Sequence, residues 1–153
     1  MDTATSPSAQ PTRRVDQLLA HYGQSHQNPT NEVIHYFAIP LIMLSVVGLM
    51  YALHPFVAYA FLAASLVYYL RLKVVVLTLC MVLWSALLVA LVLAMGAHVF
   101  IISLAIFVGA WIVQFIGHKI EGKKPSFLED IQYLWVGPLF VLTHLLARLG
   151  LRW

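Results

Sequence analysis

The sequence predicts an all-α membrane protein, a polytopic bundle of four or five membrane helices with an interfacial amphipathic helix near its N-terminus. Apolar residues make up 61% of the 153 residues and charged residues only 10%, and the mean hydropathy is +0.86. Soluble domains usually carry about 25% charged residues. Because about 20 apolar residues make one crossing, the chain has room for four or five. The composition excludes an ordinary soluble enzyme, a fibrous protein and a disulfide scaffold.

The first elements are expected outside the hydrocarbon layer. Residues 1–12 are small and polar and include proline, which predicts a disordered tail. Residues 14–23 then carry apolar side chains at the spacing of one helix face, namely Val15, Leu18, Leu19 and Tyr22. A helix of this kind lies in the headgroup plane with its apolar face toward the lipid. Residues 13–153 are predicted to form a single membrane domain that begins with this helix.

Five apolar segments follow the amphipathic helix. They cover residues 33–53, 55–70, 74–95, 97–117 and 131–151, with boundaries that are approximate. Asn28 and Pro29 are residue types that favour a helix N-cap and a first helical position, so they are expected to open the first segment. A tight hairpin at Gly96 joins the third and fourth segments. Gly137 and Pro138 interrupt the last segment, which either crosses as a kinked helix or enters the membrane and returns.

The cationic residues predict the orientation, because Lys and Arg accumulate on the cytoplasmic side of membrane proteins. If five segments cross and the N-terminus is cytoplasmic, that side holds Arg13, Arg14, Arg71, Lys73, Lys119, Lys123 and Lys124, and the far side Arg148 and Arg152. If the last segment returns, all nine lie on the cytoplasmic side. We expect an integral protein of the bacterial inner membrane or the endoplasmic reticulum, according to its source. The charges form no patch for nucleic acid.

Seven histidines are unusual in so apolar a chain, and ionisable groups at membrane depth tend to be functional. The predicted topology places His54 and His98 in the far-side turns, where they are expected to be solvated. It brings His26, His35 and His118 to the cytoplasmic face. These three side chains can meet if the first and fourth membrane helices are neighbours.

Polar residues accompany the three histidines at helical spacing. Gln114, His118 and Glu121 share one stripe of the fourth segment, and Asn31 and His35 share a face of the first. Imidazoles with a carboxylate are usual ligands of iron, zinc or copper, and nearby amides orient them. The pattern predicts a metal site with the ligands His26, His35 and His118. Glu121, Gln114 and Asn31 are its candidate catalytic residues, and His21 and His144 are further candidate ligands.

A plainer interpretation remains open for each of these residues. The histidines also suit the interface as amphipathic anchors, and Asn28 and Asn31 also suit helix caps. Glu121 is equally compatible with a surface ion pair to Lys119 or Lys124. His144 can reach the site only if the last segment returns, because in a crossing helix it would lie about 20 Å from the cytoplasmic end.

Two motifs resemble a known family. Residues 25–35 (SHQNPTNEVIH) and 111–125 (WIVQFIGHKIEGKKP) are similar to the fungal 2-hydroxy fatty acid dioxygenases of the endoplasmic reticulum and their bacterial membrane relatives. The similarity runs from about Leu18 to the C-terminus. It implies an enzyme of fatty acid α-oxidation that uses Fe²⁺ and O₂ to shorten a 2-hydroxy fatty acid by one carbon in contact with membrane lipid.

The resemblance also carries over to single residues. The essential histidines of the family match His26, His35 and His118. Glu121 follows His118 by three positions, whereas the fungal acidic residue follows by four, and His144 stands where relatives tend to have a glutamate. The alternatives to this enzyme are a non-catalytic haem-binding or metal-binding membrane protein and another metal-dependent enzyme that modifies lipids.

Overall fold

A computed structural model describes residues 13–24, 26–122, 134–151 and 153. Over these residues the chain forms six α-helices and a 3₁₀ turn, with no β-strand, which confirms the all-α prediction. The helices are α1 (Arg14–Gly23), α2 (Pro29–Leu53), α3 (Pro55–Arg71), α4 (Val75–Ala94), α5 (Val99–Glu121) and α6 (Val136–Arg148), and the 3₁₀ turn is Gly96–His98. The predicted tail 1–12 and the first residues of the predicted last segment, 131–133, lie outside the described residues.

The starts of α2 and α3 follow directly from local sequence. The Oδ1 of Asn28 accepts a hydrogen bond from the backbone N–H of Thr30 at 2.9 Å, and Pro29 occupies the first turn of α2 as predicted. His54 does the same for α3, because its Nδ1 accepts from the N–H of Phe56 at 3.1 Å. His54 is therefore an exposed helix cap, which is more specific than the solvated turn residue predicted for it.

Three of the predicted membrane helices are supported by their length and composition. Among the described residues, three helices are long and apolar enough to span a bilayer, and these are Pro29–Leu53, Val75–Ala94 and Gly96–Glu121. The prediction of four or five membrane helices therefore has three candidates among the described residues and stays a prediction for the rest. α3 has 17 residues and α6 has 13, which at 1.5 Å per residue gives about 26 and 20 Å, less than a hydrocarbon core of about 30 Å. Large apolar side chains on α4 and α5 face outward, which indicates membrane association.

The last helix runs back along the first half of α2. Near its start, Gly137 lies against Ile39, whereas further along, the Nε2 of His144 lies 3.9 Å from a carboxylate oxygen of Glu32. Glu32 is in the first turn of α2. α6 thus ends at the same end of the bundle at which α2 begins, and this geometry matches the returning alternative for the last segment.

The short helix α1 occupies the predicted residues but packs against protein on its apolar face. Val15 is fully buried in a cluster with Leu72, Leu139 and Leu146, and Tyr22 contacts Phe140. The apolar stripe of α1 therefore covers α6 and the connection between α3 and α4. Its position in the headgroup layer stays a prediction.

Close approach of α2 and α5 creates the most extensive helix pair in the bundle. A Cβ added to Gly48 would overlap the side chain of Ser103, and one added to Gly117 would overlap the amide oxygen of Asn31. Small residues in this way let two helix backbones come near each other. The pair brings the start of α2 to the end of α5, where the predicted site residues are.

We expect Gly48→Ala to lower the thermal stability of the detergent-solubilised protein, because the new methyl group collides with Ser103 and overpacking costs about 1–3 kcal/mol. Gly109→Ala is the matched control, since no atom lies within 4 Å of the added Cβ and alanine favours a helix by about 1 kcal/mol. Differential scanning fluorimetry should report a lower Tm for the first variant and an equal or higher Tm for the second. Equal Tm values for both would contradict the close approach.

Candidate metal centre

The three predicted histidines converge in the structure. His26 lies between α1 and α2, His35 is in the second turn of α2, and His118 is in the last turn of α5. The ring centroids of His26 and His35 are 4.3 Å apart, those of His35 and His118 5.3 Å, and those of His26 and His118 6.1 Å. Their exposed fractions are 9%, 0% and 5%. We call these three residues the histidine cluster.

Backbone carbonyl groups orient two of the three rings. The Nδ1–H of His26 donates to the carbonyl oxygen of Tyr22 at 2.8 Å, and the Nδ1–H of His35 donates to that of Asn31 at 2.8 Å. A carbonyl can only accept, so Nδ1 carries the proton and Nε2 is the remaining donor atom toward a metal in a neutral ring. Metal-binding histidines are usually held by a hydrogen bond of this kind.

Gln114 and Asn31 adjoin the cluster in the predicted way. The Nε2 of Gln114 lies 2.7 Å from the Nε2 of His35, and because the His35 proton is on Nδ1, the amide donates and the ring accepts. The side chain of Asn31 donates to Glu121 at 3.0 Å. Both amides are buried. Asn31 therefore contacts His35 through its backbone carbonyl group, and it contacts Glu121 through its side-chain amide.

Glu121 ties the end of α5 to the segment that carries His26. Its carboxylate accepts from the backbone N–H of Gln27 at 2.7 Å and of Asn28 at 3.0 Å, in addition to the amide of Asn31. A carboxylate beside the first turn of α2 also interacts favourably with that helix dipole. Through these contacts Glu121 links α5 to the start of α2, which an ion pair with Lys119 on its own helix would not do. Lys124, the other proposed partner, lies outside the described residues.

The two further candidate ligands do not join the cluster. The side chain of His21 is exposed on α1, and it is the next residue, Tyr22, that stacks on His26 with ring centroids 4.2 Å apart. The ring of His144 contacts Phe140 at a centroid distance of 4.1 Å, and Phe140 in turn lies 5.8 Å from His26. His144 is thus near the cluster but on the other side of Phe140.

The donor chemistry fits a metal, although the arrangement is not a closed ligand shell. Within the described part of the chain, no group of three His, Cys, Asp or Glu side chains is arranged to hold a metal ion. In addition, the Nε2 of His35 is hydrogen-bonded to Gln114. Three imidazoles in mutual contact, two of them oriented by backbone carbonyls, are nevertheless a donor set suited to iron, zinc or copper. Ligation by all three would require the Gln114 amide to move from His35.

Two sets of residues near the candidate ligands were not predicted from the sequence. Tyr22 and Phe140 enclose His26, and the hydroxyl of Tyr36 donates to Glu32 beside His144. The contact between Glu32 and Tyr36 was predictable, because residues four apart share a helix face. The contact of Phe140 with His26 was not, since it depends on the direction in which α6 runs along α2.

Comparisons with known proteins agree with the resemblance of the motifs. The sequence profile of the Mpo1-like family, described as 2-hydroxy-palmitic acid dioxygenase Mpo1-like, matches residues 12–149. The chain is 28% identical over 138 residues to a Saccharomyces cerevisiae protein named 2-hydroxy-palmitic acid dioxygenase MPO1, an alignment that covers 86% of this chain and 79% of the yeast protein. No solved structure matches the chain. The matched range contains every candidate site residue described above.

Proposed function

Because the chain belongs to the Mpo1-like family, we propose that it is an iron(II)-dependent dioxygenase that shortens 2-hydroxy fatty acids by one carbon. The observation that carries the proposal is the histidine cluster at one end of an otherwise apolar bundle. The name of the yeast relative supports the substrate class. The proposed location is an integral membrane protein with the N-terminus and the site on the cytoplasmic side.

His26, His35 and His118 would hold the iron through imidazole nitrogens. When bound, Fe²⁺ would supply positions for O₂ and for the carboxylate and hydroxyl oxygens of the substrate. The carbonyl groups of Tyr22 and Asn31 keep the Nδ1 protons of His26 and His35 in place. In each of these two rings, Nε2 is therefore the nitrogen that remains to bind a metal.

Gln114 and Glu121 have different proposed parts. The Gln114 amide holds the Nε2 of His35 by a hydrogen bond, and on release it becomes a donor within reach of a substrate oxygen. Glu121 keeps both carboxylate oxygens on N–H groups around α2. We therefore propose that Glu121 positions His26 and Asn31. Gln114 is the residue that we propose contacts the substrate during catalysis.

The reaction balances without another reductant. One molecule of 2-hydroxy fatty acid and one of O₂ give the fatty acid that is one carbon shorter, CO₂ and water. The bond that breaks joins the carboxyl carbon to the hydroxyl-bearing carbon, and O₂ takes up the four electrons released. The acyl chain stays in apolar surroundings, where burial contributes about 0.8 kcal/mol per CH₂, and this suits a site at the end of a membrane bundle.

The test is anaerobic loading of the purified protein with Fe²⁺, followed by O₂ and 2-hydroxypalmitate. We expect about one iron per chain, no Soret band, and appearance of pentadecanoic acid with CO₂ as the substrate disappears. A Soret band would indicate a haem protein instead. Absence of turnover across several chain lengths, in a folded protein that holds iron, would falsify the substrate assignment.

A further inference from the structure

An apolar cavity lies between α2, α4 and α6. Its volume is about 470 Å³, within the range of about 300–1,000 Å³ that is usual for small-molecule sites. Nearly all of its lining is apolar, and Tyr36, Ile39, Met43, Cys80, Leu87 and Pro138 are among the lining residues. The histidine cluster is not part of the lining.

A second, smaller cavity lies beside this region, and two of its lining residues contact histidines of the cluster. Its volume is about 40 Å³, and Gln114 and Tyr22, which contact His35 and His26, line it. Ile39, Met43 and Pro138 line both cavities, so the two are adjacent. An elongated ligand that extended from the larger cavity past these shared residues would bring one end toward the Gln114 amide, which lines the smaller cavity.

The larger cavity extends from the site end of the bundle toward its middle. Met43 is eight residues beyond His35 in α2, which corresponds to about 12 Å along the helix. Met43 packs in one cluster with Leu88 of α4, so the neighbouring Leu87 lies at the far end of the cavity, where it is 48% exposed. Near the other end, the hydroxyl of Tyr36 is bonded to Glu32. The cavity thus suits an amphipathic molecule with a long apolar part.

We propose that this cavity holds the acyl chain of the substrate, with the methyl end near Leu87 and the 2-hydroxy acid end passing Ile39 and Pro138 toward Gln114. This assignment rests on the proposed function and adds the binding site that sets chain length. Each buried CH₂ is expected to raise substrate affinity about fourfold until the acyl chain reaches the exposed end at Leu87. Substrate affinity should then stop increasing with chain length.

Cys80 gives a direct probe of occupancy, because it lines the cavity and is the single cysteine of the chain. In the full-length protein in vesicles, alkylation of Cys80 by an apolar maleimide should slow at least about tenfold when 2-hydroxypalmitate is added. The control is Cys80→Ser with Leu91→Cys, which places the thiol on the same helix at an exposed position outside the lining. Its alkylation should not change.

Leu87→Trp tests the far end of the cavity, where Leu87 is exposed. The larger indole should cover this end and leave less room for a long acyl chain, so the ratio of kcat/KM for 2-hydroxypalmitate over 2-hydroxydecanoate should fall about tenfold, whereas Leu91→Trp should leave the ratio unchanged. Protection of Cys80 without turnover would leave the cavity assignment standing and remove the proposed reaction. Turnover with no protection of Cys80, or equal ratios in both tryptophan variants, would overturn the cavity assignment.

Discussion

Replacing His35 by alanine is expected to lower the affinity for Fe²⁺ at least about hundredfold, or about 2.8 kcal/mol, and to abolish product formation. His35 is the central member of the histidine cluster, fully buried and in contact with both other rings. The substitution removes the ring and leaves the Gln114 amide without its acceptor. Iron content by metal analysis and pentadecanoic acid by mass spectrometry are the two measurements.

Loss of a buried side chain can also unfold a protein, so the experiment has a second variant. His118→Ala removes a ring from the last turn of α5, near the end of that helix. It should lower iron content to a similar extent. His98→Ala is the matched control, because His98 is an exposed imidazole in the 3₁₀ turn. Circular dichroism and Tm establish that each variant is folded. Full iron content in folded His35→Ala and His118→Ala would exclude the cluster as the metal site.

The convergence of the histidines was predictable from helix direction. His35 lies near the beginning of α2 and His118 near the end of α5. The three reversals between them, one after each of α2, α3 and α4, make α5 antiparallel to α2 and bring these two ends to the same side. The sequence could not show that α2 and α5 are neighbours. That contact depends on Gly48 and Gly117, whose missing side chains allow close approach, and single glycines are common in membrane helices without such a part.

The path of the last helix was less predictable. Gly137 and Pro138 indicated a break but not its direction, and both alternatives were compatible with the charges. The direction in which α6 runs along α2 places Phe140 against His26 and His144 beside Glu32. Contacts of this kind form between residues about 110 positions apart, so no local pattern encodes them. The same holds for Glu121, whose helical spacing to His118 indicated a shared face but not its contacts with Gln27 and Asn28.

Glu121→Ala is expected to lower iron affinity and turnover by about 10 to 100-fold, although Glu121 is not a proposed ligand. Residues that orient metal-binding groups typically have effects of this size. Without the carboxylate, the N–H groups of Gln27 and Asn28 and the amide of Asn31 lose their shared acceptor. The segment that carries His26 is then held less firmly against α5. Iron titration and steady-state kinetics at a temperature well below each Tm measure the effect.

Glu121→Gln separates positioning from general stability. The glutamine oxygen can still accept from one backbone N–H, but its NH₂ group faces other donors, so we expect iron affinity between those of the wild type and Glu121→Ala. Asp16→Asn is the control, because Asp16 pairs with Arg13 in an exposed contact at the start of α1, the end of that helix away from His26. If Glu121→Ala lowers Tm while iron affinity stays at the wild-type level, Glu121 supports the fold alone. If iron affinity instead falls stepwise from the wild type through Glu121→Gln to Glu121→Ala in folded protein, the contacts between Glu121 and the start of α2 are what hold His26 in position.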